Sequence, residues 1–107
     1  MHSGSGALTE GVYYILLSLT APLHGYGIMQ RTEQLSGGRV RLAAGTLYGA
    51  LNTMVERGWI AALAGDQDSR KKEYVLTPAG REILERELQR LEELVENGRR
   101  ILGGTGA

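Results

Sequence analysis

The sequence predicts a mainly α-helical chain with one small β-hairpin, and three observations carry that expectation. First, Pro22-Leu23-His24-Gly25-Tyr26-Gly27 and Leu42-Ala43-Ala44-Gly45-Thr46-Leu47-Tyr48-Gly49-Ala50-Leu51 stand at the spacing of two successive helices. Second, two short apolar segments follow, with Arg70-Lys71-Lys72 towards their tip. Third, everything behind Thr77-Pro78 reads as one long amphipathic helix. Helix, helix, third helix and basic hairpin make the order of a winged helix-turn-helix, here followed by a long C-terminal dimerisation helix. The expected organisation is a flexible tail at 1–7, a winged-helix domain at 8–77, the dimerisation helix at 78–102 and a disordered tail at 103–107.

The first helix opens at Thr9-Glu10, with Thr9 as N-cap and Glu10 favourable against the helix dipole. Val12, Ile15, Leu16 and Leu19 then recur at i, i+3, i+4 and i+7. Ala21-Pro22 ends it, because a residue before proline is pushed out of the α region. Tyr13 and Tyr14 widen the apolar surface beyond one face. Two readings stand for them: the edge of the core, or a surface towards a second subunit.

A second helix enters through His24-Gly25-Tyr26-Gly27 and runs to about Leu35, with Ile28, Met29 and Leu35 inward. Ser36-Gly37-Gly38 stops it. Two glycines so close to a helix start imply close approach of a neighbouring helix or a phosphate. The third helix is expected from about Gly45 to Arg57, buried through Leu47, Leu51, Met54 and Val55 and closed by Gly58. Thr46, Tyr48, Asn52 and Thr53 are left for its outer faces. Short or planar polar side chains without negative charge suit a surface that meets phosphates and base edges.

Trp59-Ile60-Ala61-Ala62-Leu63 and Lys72-Glu73-Tyr74-Val75-Leu76-Thr77 read as the two strands, joined by polar turn residues from Ala64 to Ser69. A lone ribbon is unstable and must lean on the helices, with Trp59 and Leu76 as the expected anchors. Thr77-Pro78 starts the last helix, Thr as N-cap and Pro at the first position. Along it Leu84, Leu88, Leu91, Val95, Gly98 and Leu102 recur at 4-3-4-3-4 spacing, a coiled-coil-like seam widened by Ile83, Leu94 and Ile101. A helix this long cannot bury its stripe on so small a domain, so a second copy is its simplest partner.

Composition bounds the chemistry. A chain of 107 residues holds one domain with one small core, and 42% apolar content is ordinary for a globular protein. Without cysteine there is no disulfide framework and no thiolate metal site. His2 and His24 are too few and too far apart for a zinc site, and no cofactor is implied. No nucleophile–base pair stands out, and His24 reads better as a capping residue than as a catalytic base. No apolar run approaches the roughly 18 residues of a membrane span. Met1-His2-Ser3-Gly4-Ser5-Gly6 lacks the layout of a signal peptide, so a cytoplasmic location is the default.

The formal net charge is +0, which a DNA-binding domain does not ordinarily show. Its distribution is uneven. From His24 to Lys72 the bases are Arg31, Arg39, Arg41, Arg57, Arg70, Lys71 and Lys72, against Glu33, Glu56, Asp66 and Asp68. The C-terminal segment offsets this with Glu82, Glu85, Glu87, Glu92, Glu93 and Glu96 against five arginines. A neutral total can therefore hide a positive face; the alternative is mixed, solvated surface charge.

The chain resembles the PadR family of bacterial transcriptional regulators in its short form. The carrying residues are Tyr14-Ile15-Leu16-Leu17, Pro22 to Gly27, Gly45 to Leu51, and Tyr74-Val75-Leu76-Thr77-Pro78-Ala79-Gly80-Arg81. The resemblance implies a homodimer that binds an inverted-repeat operator in double-stranded DNA, commonly as a repressor released by a small hydrophobic or phenolic molecule. It implies that the third helix enters the major groove, with Thr46 and Tyr48 on phosphates and Asn52 at a base edge. Arg70, Lys71 and Lys72 would track the adjacent backbone or minor groove, and His24 and Tyr26 would add phosphate contacts. Tyr13, Leu84, Leu88, Leu91, Val95 and Leu102 are the expected dimerisation residues. Tyr13, Tyr14 and Trp59 are candidates to line an effector cavity, since flat aromatics suit flat hydrophobic ligands, and ordinary packing is the competing reading.

One departure stands out. Where family members often carry Ser-Pro or Gly-Pro ahead of Gly-Thr-Leu-Tyr, this chain has Ala43-Ala44. Loss of the cap would delay or fray the helix start, at about 1 kcal/mol of local stability. Two functional readings follow. One is a ligand-responsive DNA-binding regulator, which the bases around the third helix favour. The other is a winged-helix module that binds a protein partner, which the neutral total favours.

Overall fold

The computed structural model describes residues 7–63 and 71–103. Its elements are α1 (Glu10–Ser18), β1 (Leu23–His24), α2 (Gly25–Leu35), α3 (Ala44–Glu56), β2 (Ile60–Ala62), β3 (Glu73–Leu76) and α4 (Pro78–Leu102). The polar turn from Ala64 to Ser69, Arg70, residues 1–6 of the first tail and residues 104–107 of the second lie outside the described residues.

The caps sit where the side-chain chemistry requires. Thr9 Oγ1 accepts from the Val12 N–H at 3.2 Å, and Thr77 Oγ1 accepts from the Gly80 N–H at 3.0 Å. The Thr77 hydroxyl also donates to the Gly58 carbonyl at 2.6 Å, while its own N–H donates to the Trp59 carbonyl at 3.0 Å. One threonine thus fastens the start of α4 to the end of α3. Gly58, at φ +78, takes the left-handed turn that closes α3. Helix α1 stops at Ser18, with Leu19 as its C-cap.

The sheet has three antiparallel strands in the order β1-β3-β2, not the two of a simple hairpin. Leu23 pairs with Tyr74 and His24 with Glu73 on one side of β3, and Ile60 pairs with Leu76 on the other. Two residues are too few to show a period of two, so β1 leaves no pattern in the sequence. Both predicted strands are trimmed. Thr77 is taken by its capping role, and Leu63 keeps only a bond from its N–H to the Glu73 carbonyl at 2.8 Å.

Every layer contributes to one core. Ile15, Leu16 and Leu19 meet Ile28, then Leu47, Leu51 and Met54, and finally Ile60, Tyr74 and Leu84. The ribbon is anchored by Ile60 and Tyr74, whereas Trp59 and Leu76 lie half-buried at its margin. Trp59 follows Gly58 directly and is still in the turn, which is why the strand points Ile60 inward instead. Val55 and Leu35, both expected inside, are exposed at the ends of their helices.

Helix α3 begins at Ala44, one residue earlier than the sequence suggested, so the missing proline and serine do not delay it. Ala43 adopts the extended backbone of an N-cap but supplies no side-chain bond. Helix α4 is buried only through Gly80, Leu84 and Glu87. Beyond them it leaves the domain, and the molecule measures 57 × 29 × 21 Å. Among the described residues no helix is long and apolar enough to cross a membrane.

Candidate nucleic-acid interface

The start of α2 is held by His24. Its Nδ1 accepts from the Gly27 N–H at 3.1 Å, so the neutral ring carries its proton on Nε2 and presents a donor there. This is the capping role the sequence suggested. Tyr26, 62% exposed, stands next to it, its hydroxyl oxygen accepting weakly from Gln30 Nε2 at 3.4 Å. Free N–H groups and the dipole make such a helix start favourable for an anion.

On α3 the face opposite the core carries Gly45, Thr46, Gly49, Asn52 and Thr53, all exposed. No atom lies within 4 Å of where a Cβ on Gly45 or Gly49 would sit. Thr53 turns its hydroxyl back to the Gly49 carbonyl at 3.2 Å. Thr46 and Asn52 make no side-chain hydrogen bond to the described residues, so both remain available. Tyr48 differs from the outward position expected of it. Its ring is half-buried against the core, and a Cβ on Gly25 would overlap its hydroxyl.

The wing contributes Lys71, exposed, and Lys72, half-buried, just before β3. The positive face is narrower than a count of bases implies. Arg39 grips Glu10 through two contacts at 2.9 and 3.3 Å, and Arg41 reaches Glu33 at 3.5 Å. The Arg57 guanidinium lies over the Trp59 ring at 5.2 Å. Arg31, Arg57, Lys71 and Lys72 make no ion pair among the described residues, and they carry the remaining positive charge from His24 to Lys72 there.

The aromatic candidates are not gathered into one place by the contacts described. Tyr13 and Tyr14 pack edge to face, centroids 5.8 Å apart at 74°. Burial first, then Tyr14, Glu87 and Glu92, push the Tyr13 phenol above its ordinary pKa. Both glutamates belong to α4, the helix that packs against α1. Trp59 instead contacts Arg57 and the start of α4 near Gly80. Of the seam residues, Leu84 is 7% exposed and belongs to the core, and Leu91 is half-buried. Leu88, Val95 and Leu102 are exposed.

Glu87 was read only as one charge in the acidic balance, yet it is buried. Arg90 donates to it from Nε at 2.8 Å and from a terminal nitrogen at 2.7 Å, and the Leu8 N–H donates at 3.3 Å. The Arg90 hydrogen bonds, against the opposing effect of burial and with help from Leu8, hold its carboxyl below the ordinary value. A signal existed: Leu84, Glu87 and Leu91 fall at i, i+3 and i+7, one face of a helix. Among the described residues no group of three or more His, Cys, Asp or Glu could hold a metal ion.

The model of the transcriptional regulator PadR-like family matches residues 13–86. An uncharacterized 37.1 kDa protein in transposon TN4556 of Streptomyces fradiae is 44% identical over 73 residues, 68% of this chain. This chain spans only 20% of the length of that relative. A PadR family transcription regulator from Clostridium difficile superposes with a TM-score of 0.68 at 23% identity, covering 87% of this chain and 97% of its own. Bacillus subtilis PadR in complex with operator DNA gives 0.59 at 24% identity over 73% of this chain and 46% of that one. Bordetella bronchiseptica BpsR, whose DNA binding is regulated by 6-hydroxynicotinic acid, gives 0.68 at 19% identity, covering 91% and 69%.

Proposed function

This chain belongs to the PadR-like family of transcriptional regulators, and from that premise we propose that it is a dimeric, sequence-specific DNA-binding repressor. Members of the family are regulators and not enzymes. The observation that carries the reading is the exposed face of α3. Among the described residues Thr46 and Asn52 make no side-chain hydrogen bond there, the helix has no acidic side chain before Glu56, and the start of α2 packs against it through Gly25 and Tyr48.

In this reading α3 enters the major groove, where Asn52 has the amide geometry to pair with adenine. Thr46, His24 Nε2, Tyr26, Lys71 and Lys72 meet phosphates, and Arg70 extends the basic wing. Two copies joined through α4 place their recognition helices on half-sites roughly 34–36 Å apart in an inverted-repeat operator. The protein acts in the cytoplasm, where its operator lies.

A small hydrophobic or phenolic effector releases the DNA, an extension supported by the like-folded BpsR and its 6-hydroxynicotinic acid. To act, such a molecule must favour the non-binding state by about 1–3 kcal/mol. Tyr13 and Tyr14, packed edge to face on α1, are its candidate contacts, with Trp59 as a third.

The test is fluorescence anisotropy on DNA from upstream of the protein's own gene against a scrambled duplex, at two salt concentrations. Selective binding that falls steeply with salt is the expected result. Feeble, equal binding there and no enrichment in a random-library selection would defeat the reading. The net charge of +0, with Arg39 and Arg41 both paired, favours the second reading of a protein-interaction module. That module would give a stoichiometric complex in a pull-down and no salt-dependent affinity for DNA.

A further inference from the structure

We infer that Tyr48 positions the DNA-binding surface instead of contacting phosphate: its ring, seated on Gly25, sets the angle between α2 and α3 and the distance from α3 to the wing. The inference rests on the DNA-binding reading above and assigns a role within it.

Gly25 is buried at the first position of α2. A Cβ there would overlap the Tyr48 hydroxyl and lie 2.7 Å from Cζ and 3.3 Å from Cε1. The obstacle is a rigid ring anchored in the core on one side, so it cannot step aside as a flexible chain end would. Glycine is the poorest helix former after proline, and its presence here is explained by the room the ring needs. The phenol therefore acts as a spacer between the second helix and the third.

The seat of that ring is tied to the sheet. Tyr74 is buried on β3, the central strand, where it pairs with Leu23 of β1 and Ala62 of β2. Leu23 and His24 stand directly before Gly25, so the strand that pairs with Tyr74 and Glu73 leads straight into the seat of the Tyr48 ring. Burial first, and then Tyr48, push the Tyr74 phenol above its ordinary pKa. Traced backwards from Tyr74, the chain runs through Glu73 to Lys72 and Lys71 of the wing. One side chain of α3 thus rests on the start of α2, and β1, directly before that start, ties it to β3 and so to the root of the wing. A change of angle there would move Thr46 and Asn52 relative to both.

The experiment uses the full chain and four variants: Tyr48→Phe, Tyr48→Leu, Gly25→Ala, and Gly25→Ala combined with Tyr48→Leu. Each is titrated by anisotropy against a duplex chosen by selection and against a scrambled duplex, over a range of salt, and each is melted without DNA. Tyr48→Phe should keep both affinity and salt slope, since the ring remains. Tyr48→Leu and Gly25→Ala should each lose about tenfold on the selected duplex, the scale of one base contact, and much less on the scrambled one. In the double variant Gly25→Ala should add nothing to the effect of Tyr48→Leu, in affinity or in melting temperature, because the ring it would displace is gone.

Three outcomes overturn the inference. If Tyr48→Phe weakens binding as much as Tyr48→Leu and lowers the salt slope by about 0.9, the hydroxyl is a phosphate ligand. Strictly additive losses in the melting cycle would mean that the ring and Gly25 do not constrain each other. A wild-type chain that binds no duplex defeats the DNA-binding reading and this inference with it. A binding wild type with a failing Tyr48→Phe defeats this inference alone.

Discussion

Glu87 is the last side chain of α4 to be buried before the helix leaves the domain, and its bonds tie two parts of the chain together. Arg90 holds it along its own helix, and Leu8 brings in the segment ahead of α1. Because those bonds favour the carboxylate, its folded pKa lies below the value of about 4.5 that the free group has. A lowered carboxyl contributes stability that is present above the unfolded value and is lost as pH falls through the folded one. Glu87→Gln should therefore cost about 1–2 kcal/mol at neutral pH, the lower part of the range for charged hydrogen bonds because Arg90 keeps some hydration. Urea denaturation at pH 7 and at progressively lower pH tests this: the gap between variant and wild type should narrow as the solution is acidified. A gap of equal size throughout would mean that packing, not charge, is what Glu87 supplies. At the other end of the scale, Tyr13 and Tyr74 both ionise above the ordinary value of 10.0. Their contribution is present below that value and is lost as pH rises through the folded ones, so the fold should loosen in alkali.

At the scale of elements, α3 is built against its own stability. It has no side-chain cap at Ala43, and Gly45 and Gly49 lie on its open face, where an added Cβ would meet open space. Glycine inside a helix costs about 1 kcal/mol relative to alanine. Gly49→Ala should accordingly stabilise the isolated protein by about that amount, raising its melting temperature by roughly 4–8 °C. The same methyl group would stand between the helix backbone and the groove, so affinity for the selected duplex should fall. Higher stability with unaltered affinity would take this face of α3 out of the groove. The sequence announced elements that carry their own punctuation: Thr9, Gly58, Ser36-Gly37-Gly38 and Thr77-Pro78 mark helix ends through local chemistry. It stayed silent where a partner distant in sequence decides. Strand β1 exists only because β3 offers it an edge, and periodicity could not show that Tyr48 would turn onto Gly25. Arg39 and Arg41 were counted towards a positive face until the folded chain set Glu10 and Glu33 beside them. Among the candidate site residues, the pattern puts Thr46, Asn52 and Lys71 at the surface and the family resemblance adds Tyr26, and all four are exposed.

The whole molecule is a small domain with a long lever. A helix of 25 residues extends about 37 Å, more than the domain can cover. Its far half exposes Leu88, Leu94, Val95, Ile101 and Leu102, with Val95 at 53% and Leu102 at 88%. A run of exposed apolar side chains at coiled-coil spacing is what a second copy would bury. Leu84 cannot serve as a probe of that contact, because it fills the core of its own chain. Leu88→Glu combined with Val95→Glu can, since neither side chain is in the core and the fold should survive. Sedimentation should then report a dimer for the wild type and a monomer for this variant. The consequence for DNA depends on avidity: two linked recognition helices gain about 10²–10⁴-fold over one. The charged variant should lose affinity in that range on a duplex with both half-sites, while its affinity for a single half-site stays close to that of the wild type. A variant that remains dimeric would move the subunit contact away from α4, and the exposed edge of Tyr13 and Tyr14 would be the next surface to charge. A monomer that keeps full affinity for the inverted repeat would remove the dimer from the mechanism, and α4 would need another occupant.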